Sequence, residues 1–159
     1  VTSRPFVDKN VAGLIVGEDS IEKVIKLYGR GINLETFHGE TLCYYDAGDQ
    51  TYFIVSTHVG IIETITLTEE FNDKKLNQCK KRTIKIMPLA TSRGVKIGDS
   101  PQKVTRIYGE PHKKETKDEM LIFEYHTDYK EDPQVTLAYD AYLYFRENRL
   151  VKFAIHDGE

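Results

Sequence analysis

An α+β fold made of two similar repeats, each a helical N-terminal part packed on an antiparallel β-sheet, is what this sequence predicts. Three observations predict it: a helix-forming stretch that occurs twice, strand-like runs after each copy, and a polar segment between the two sets. Residues 13–29 read GLIVGEDSIEKVIKLYG and residues 94–109 read GVKIGDSPQKVTRIYG. Gly, an apolar pair around one variable residue, Gly, Asp-Ser, Lys-Val, a long apolar residue and Tyr-Gly recur in one order. Asp19 and Asp99 are 80 positions apart, and so are Gly29 and Gly109. A recurrence of that length in 159 residues reads as one unit built twice, and a repeat governs the reading of everything around it. The first repeat, with the start of the linker, is placed at 1–78 and the second at 79–159.

Residues 1–12 carry Pro5 and read as a leading arm with a short extended piece. The first helix begins at Asp19-Ser20. Either side chain can cap free backbone N–H groups there, and Glu22 stands three residues after Asp19, as in a capping box. Ile21, Val24, Ile25 and Tyr28 follow the three-four spacing of one buried stripe, and Gly29 ends the helix. In the second copy Ser100 caps, Pro101 takes the first helical position, Val104, Ile107 and Tyr108 form the stripe, and Gly109 with Pro111 ends it.

Strands are expected at 42–46, 51–57 and 61–68 in the first copy, and at 120–126, 135–145 and 149–156 in the second. Alternation is plain in Leu121, Phe123, Tyr125 and in Val151, Phe153, Ile155. The stretches 46–49 and 147–148 sit where hairpin turns belong. The charged segment 69–82 reads as the linker, with room for a helical turn. Ile84 and Ile86 alternate in 83–89, an edge strand because Pro88 cannot donate to a ladder. With helices on one face of a sheet, the other face meets solvent or a partner. Neighbours on a strand point to opposite faces, so Tyr44 and Tyr45 are not expected to be core together, and some of the strand tyrosines should lie on the open face.

Composition narrows the function classes. At 40% hydrophobic residues the chain has enough for a core, whereas a half near 80 residues is marginal alone, so the halves should pack together. A net charge of −3 and a pI near 6.0 argue against a nucleic-acid binder. No apolar run approaches the ~20 residues that span a bilayer, so a soluble chain is expected. The chain opens on Val1 rather than Met, which reads as removal of preceding residues, and it shows no charged-then-apolar signal region. Cys43 and Cys79 permit one bridge, worth roughly 4 kcal/mol by loop entropy and implying an oxidising compartment. The alternative is a half-buried Cys43 on a strand and an unrelated Cys79 in the linker.

Chemistry-bearing patterns are sparse. The histidines at 38, 58, 112, 126 and 156 are scattered and no nucleophile-elbow motif is present, so no catalytic residue is assigned. No Cys-x-x-Cys or His-Glu-x-x-His spacing occurs, and no metal or cofactor is expected. Gly17 and Gly98 precede helix N-termini, but Asp19 and Asp99 already place negative charge there and no Walker lysine follows. The basic patches 80–82 and 113–114 are diluted by acidic neighbours. Against ordinary sheet composition, ten Tyr, seven Phe and no Trp favour an aromatic recognition surface.

The repeated Gly-Asp-Ser…Lys-Val…Tyr-Gly unit followed by strands resembles the tandem-repeat β-lactamase inhibitor proteins over essentially the whole chain. The helix motif alone is similar to that of small outer-membrane assembly lipoproteins, over about half of it. Residues 45–52, YDAGDQTY, resemble the Ala-Gly-Asp hairpin with following tyrosines that the inhibitors push into an enzyme's active site. The resemblance implies that Asp49 is offered to a cationic pocket with Tyr52 beside it. The chain departs from the family in its cysteine placement, since the inhibitors hold one disulfide in each repeat, and in lacking Trp.

The expectation is therefore a non-enzymatic, extracytoplasmic protein-binding module whose partner is a β-lactamase, another cell-wall enzyme or an envelope component. Its contact residues are Asp46, Asp49, Tyr45, Tyr52, Tyr142 and Tyr144. The competing readings are a small-molecule-binding or hydrolytic domain, with a cleft between the repeats collecting His58, His126 and acidic residues, and a domain that mainly forms a homodimer.

Overall fold

The computed structural model describes residues 9–34, 39–69, 74–84, 89–132 and 135–157, with 74–75, 128–132 and 135–138 described by their backbone alone. The elements run β1 (Asn10–Val11), β2 (Leu14–Ile15), α1 (Ile21–Tyr28), β3 (Ile32–Leu34), β4 (Thr41–Asp46), β5 (Thr51–His58), β6 (Ile61–Glu69), α2 (Lys74–Asn77) and a 3-10 turn (Gln78–Lys81). They continue with α3 (Pro101–Tyr108), β7 (Lys113–Lys117), β8 (Met120–Asp132), β9 (Val135–Arg146) and β10 (Arg149–Asp157). Eight strands form one antiparallel sheet in the order β3-β4-β5-β6-β10-β9-β8-β7. At its middle β6 meets β10, with Leu67 opposite Phe153 and Ile65 opposite Ile155. The fold is thus α+β, mostly antiparallel sheet with short helices.

Both eight-residue helices form because each carries one apolar stripe and a glycine stop. Val24 and Val104 are fully buried and join a single core with Tyr44, Phe53, Ile65, Leu67, Phe123, Leu143 and Phe153. The two helix starts are built alike, though not by the expected capping box. The Ser100 hydroxyl accepts from Lys103 N at 3.1 Å, whereas Ser20 makes no side-chain cap bond. The Asp19 carboxylate turns back to accept from Ile15 N at 2.7 Å and Lys23 Nζ at 3.0 Å. Asp99 likewise accepts from Lys96 N at 2.9 Å and Lys103 Nζ at 3.0 Å. Gly17 and Gly98, at φ +82° and +98°, let the backbone double back so that these N–H groups face the carboxylate.

Each start is also sewn to the sheet in the same way. Gly17 N donates to Ile62 O at 2.8 Å and Ile62 N to Asp19 O at 2.9 Å; Gly98 N donates to Leu150 O at 2.8 Å and Leu150 N to Asp99 O at 2.7 Å. At the other end the Tyr44 hydroxyl donates to Gly29 O at 2.7 Å, and the Tyr125 hydroxyl to Gly109 O at 2.8 Å. Burial pushes the Tyr44 and Tyr125 phenols up, so both stay protonated donors.

Strands appear at each of the runs expected at 42–46, 51–57, 61–68, 120–126, 135–145 and 149–156, and two edge strands join the eight-stranded sheet beyond those. Strand β3 is a three-residue piece after α1, and β7 is the wholly exposed run KKETK, whose charges blunt the edge it forms. The stretch 113–114 is therefore part of a strand rather than a separate basic patch. The β9–β10 hairpin turns on Glu147 and Asn148, both at positive φ, the backbone that a tight two-residue hairpin needs. Within the linker, α2 and the 3-10 turn supply the helical turn for which the sequence left room. Of the edge strand read at 83–89, Thr83 forms a parallel bridge to Tyr45, and residues 85–88 lie outside the described residues. The arm at 1–8 also lies outside them; Asn10–Val11 pairs with Leu14–Ile15.

Candidate functional site

The far face of the sheet, opposite α1 and α3, differs between its two halves. In the first half it is covered. Cys43 of β4 is bridged to Cys79 of the 3-10 turn, with Cα atoms 5.5 Å apart across 36 positions of sequence. That bridge lays Leu76 and Cys79 over Tyr45, Tyr52 and Ile54, making a second small core with Ile32 and Leu34. Tyr45 N donates to Arg82 O at 3.1 Å and Ile84 N to Tyr45 O at 2.9 Å, which fixes the end of the segment to β4.

This cover corrects the reading of the tyrosines. Tyr44 and Tyr45 point to opposite faces, yet they are 0% and 9% exposed. Tyr52 is 0% exposed, its ring centroid 4.9 Å from that of Tyr45. Lys80 Nζ sits 5.5 Å from the Tyr45 centroid. Neither ring offers a free surface. Asp46 is 8% exposed, and its Oδ1 accepts from Gly48 N at 2.9 Å and Asp49 N at 3.4 Å. Its carboxylate shapes the hairpin turn, as short acidic side chains do. Asp49 alone of that group is exposed. It lines a cleft of about 210 Å³ with Thr51, Leu89, Lys96, Ile97 and Arg149, away from the Tyr45–Tyr52 face. His58 and His126 do not line that cleft.

In the second half the same face carries no covering segment among the described residues. Register defines the equivalence: Tyr44 faces Phe53 and the next pair is Tyr45 with Tyr52, while Tyr125 faces Ala141 and the next pair is His126 with Asp140. Tyr142 and Tyr144 are half-buried on this open face. Tyr144 lies opposite Ile122, with Lys152 Nζ 5.3 Å from its ring centroid. Tyr142 lies between Glu124 and Ala154. The aromatic face expected from sequence thus keeps Tyr142 and Tyr144 and loses Tyr45 and Tyr52.

Beside these tyrosines, three strands and the residue just before β7 bring together a polar cluster. His126 Nδ1 contacts Asp140 Oδ1, and its Nε2 is 3.0 Å from Glu124 Oε1. His156 Nε2 is 3.7 Å from Asp140 Oδ2, which lies between the two histidines. His112 Nδ1 accepts from the His126 backbone N at 3.1 Å. The hydrogen bond to Asp140 raises the His126 pKa above its ordinary value; partial burial works against this, and the charges of Asp140 and Glu124 add to the rise. Burial pushes the Tyr142 phenol up, and the Glu124 and Asp140 carboxylates add to it. No group of three or more His, Cys, Asp and Glu among the described residues is arranged to hold a metal ion. Sequence reasoning named His126 with acidic residues, but beside His58 in a cleft between the repeats; its partners Asp140 and His156 were not identified because they come from other strands. The cluster's one local signal was same-face spacing, Glu124-x-His126 and Asp140-x-Tyr142-x-Tyr144.

No protein-family profile matches the chain. No curated protein matches it in sequence. Solved structures do. A cysteine-rich secretory protein of Staphylococcus aureus is similar at TM-score 0.55 and 17% identity, over 97% of this chain and 47% of that one. An extracellular protein of Bacillus anthracis containing an SCP domain is similar at TM-score 0.50 and 15% identity, over 99% of this chain and 50% of that one. A DUF4309 family protein (YjgB) of Bacillus subtilis is similar at TM-score 0.50 and 11% identity, over 92% of this chain and 83% of that one. These likenesses show the fold alone. The chain spans about half the length of the first two. A protein of Streptococcus mutans assigned provisionally to the β-lactamase inhibitors aligns at TM-score 0.31 and 14% identity, too distant to carry an argument.

Proposed function

We propose that this chain is a non-enzymatic, extracytoplasmic protein-binding module, built from two copies of one α+β unit, that binds through the open half of its sheet. The observation that carries this reading is the asymmetry of one face among the described residues: the first half closed by a disulfide-held segment, the second without such a cover and with Tyr142, Tyr144 and Ile122 half-buried. Aromatic rings on a rigid sheet give large contact area at low entropy cost and are frequent hot spots. Duplication is supported by the Asp19 and Asp99 contacts, by the two Tyr-to-Gly bonds and by a strand order that mirrors about β6 and β10. The boundary expected at 78/79 falls inside the 3-10 turn Gln78–Lys81, whose Cys79 is bridged to β4, so on this reading the first copy extends through that turn. The Cys43–Cys79 bridge supports an oxidising compartment. Envelope enzymes, β-lactamases among them, are the partner class to screen, with Asp49 as a separate charged contact on its hairpin.

The test is affinity capture from a cell-envelope fraction, run in parallel with wild type and a Tyr142→Ala/Tyr144→Ala double variant, followed by β-lactamase inhibition. A protein held by wild type and weakened about 10-fold or more by the double variant, as removal of hot-spot rings predicts, supports the reading. Equal retention of every captured protein refutes it. The small-molecule reading places its ligand between the repeats, where the cleft beside Asp49 has roughly 210 Å³, below the ~300–1,000 Å³ usual for ligand sites. A wider groove of about 580 Å³, lined by Thr105, Glu110, Leu121 and Phe123, lies within the second half and collects neither His58 nor His126.

A further inference from the structure

The His126 cluster has a geometry that only one protonation state satisfies. Both ring nitrogens face carboxylates, Asp140 at Nδ1 and Glu124 at Nε2. An imidazolium donates at both nitrogens; a neutral imidazole donates at one and presents a lone pair at the other. The two carboxylate side chains are 21% and 23% exposed, so solvent screens the contact only in part. The groups facing His126 come from every neighbouring strand: Glu124 on its own strand, Asp140 and Tyr142 on β9, His156 on β10, and His112 with Lys113 at the start of β7.

Building on the recognition face just proposed, we propose that His126 is a proton-operated switch of that face. With the proton on, the ring holds Glu124 and Asp140, and Tyr142 is braced against Glu124. The face then carries one cation hydrogen-bonded to both carboxylates, so a partner that covers it buries one net negative charge instead of two, and burying unpaired charge is costly. With the proton lost, the remaining N–H stays on Nδ1 toward Asp140, and the Nε2 lone pair is set against Glu124. Glu124 then swings to Lys113, its cross-strand neighbour on β7, and leaves Tyr142. Docking of a weakly charged protein surface on Tyr142 and Tyr144 is therefore favoured by acid and lost as pH rises through the His126 titration.

The test uses the free, intact chain. Imidazole and tyrosine resonances are followed by NMR from pH 5 to 9 in wild type, Asp140→Asn, Glu124→Gln and His126→Gln, with His112→Gln and His156→Gln to assign the other rings. His126 is expected to titrate above the ordinary imidazole value of about 6.5, with Tyr142 shifting at the same midpoint and Asp140→Asn lowering it. A His126 midpoint at or below the ordinary value overturns the proposal, as does a Tyr142 signal that ignores it. Failure here leaves the binding reading intact, because that reading is scored by Tyr142→Ala/Tyr144→Ala capture at one pH. Conversely, a clean titration with no Tyr142-dependent partner would remove the reading and leave the switch as a property of the free face.

Discussion

Two pairs of residues occupy matching places in the two halves of the sheet, Tyr45 with Tyr52 and His126 with Asp140. The first pair is sealed under a tethered turn and the second lies open and ion-paired. Cys43 and Glu124 stand two residues before Tyr45 and His126, so they match as well. One half uses these positions to fasten a piece of its own chain, and the other keeps them as polar side chains. The lesson is that a common framework of helix, turn and strand fixes where a face is, while a few outward positions decide whether it is closed.

The largest test of that contrast is Cys79→Ser. Losing a closure of this length should cost about 4 kcal/mol and release Leu76 from Tyr45 and Tyr52, seen as a lower denaturation midpoint and new dye binding at the first half. Asp19→Ala and Asp99→Ala should each cost about 1–3 kcal/mol, because each leaves a backbone N–H without its carboxylate; near-equal losses in urea melts would sharpen the correspondence of the two starts. Smaller again, Ser100→Ala should cost about 1 kcal/mol and Ser20→Ala a few tenths at most, since only the former caps. Equal costs for the serines would break that distinction.

The pH dependence is the subtlest expectation. His126 is raised in the folded state, so its contribution is fully present below the unfolded imidazole value and is lost as pH rises through the folded value. Stability should fall across that window in wild type, and this part of the slope should vanish in His126→Gln.

Much of the helix framework was legible because it rests on local rules: the stripes of Ile21, Val24, Ile25 and of Val104, Ile107, and the glycines after Tyr28 and Tyr108. Asp19 misled, since an acid before a helix usually caps it, and only the positive-φ turn at Gly17 reveals a different partner. β7 was invisible because an exposed edge strand of charged residues shows no hydrophobic alternation. Burial of Tyr45 could not be read from its neighbours, because the residues that bury it, Leu76 and Cys79, are distant in sequence and arrive by a covalent tie. The His126 cluster required knowing which strands lie side by side. Tyr142 and Tyr144 kept their exposure for the simple reason that nothing in the second half repeats Cys43.

The adjacency of β6 and β10 has a consequence for biosynthesis. A ribosome finishes β6 long before it begins β10, so the nascent molecule carries an unpaired row of amides and carbonyls along β6 until translation is almost complete. Both cysteines of the bridge precede β10 in the chain, so closing it once the chain meets an oxidant needs nothing from the second half.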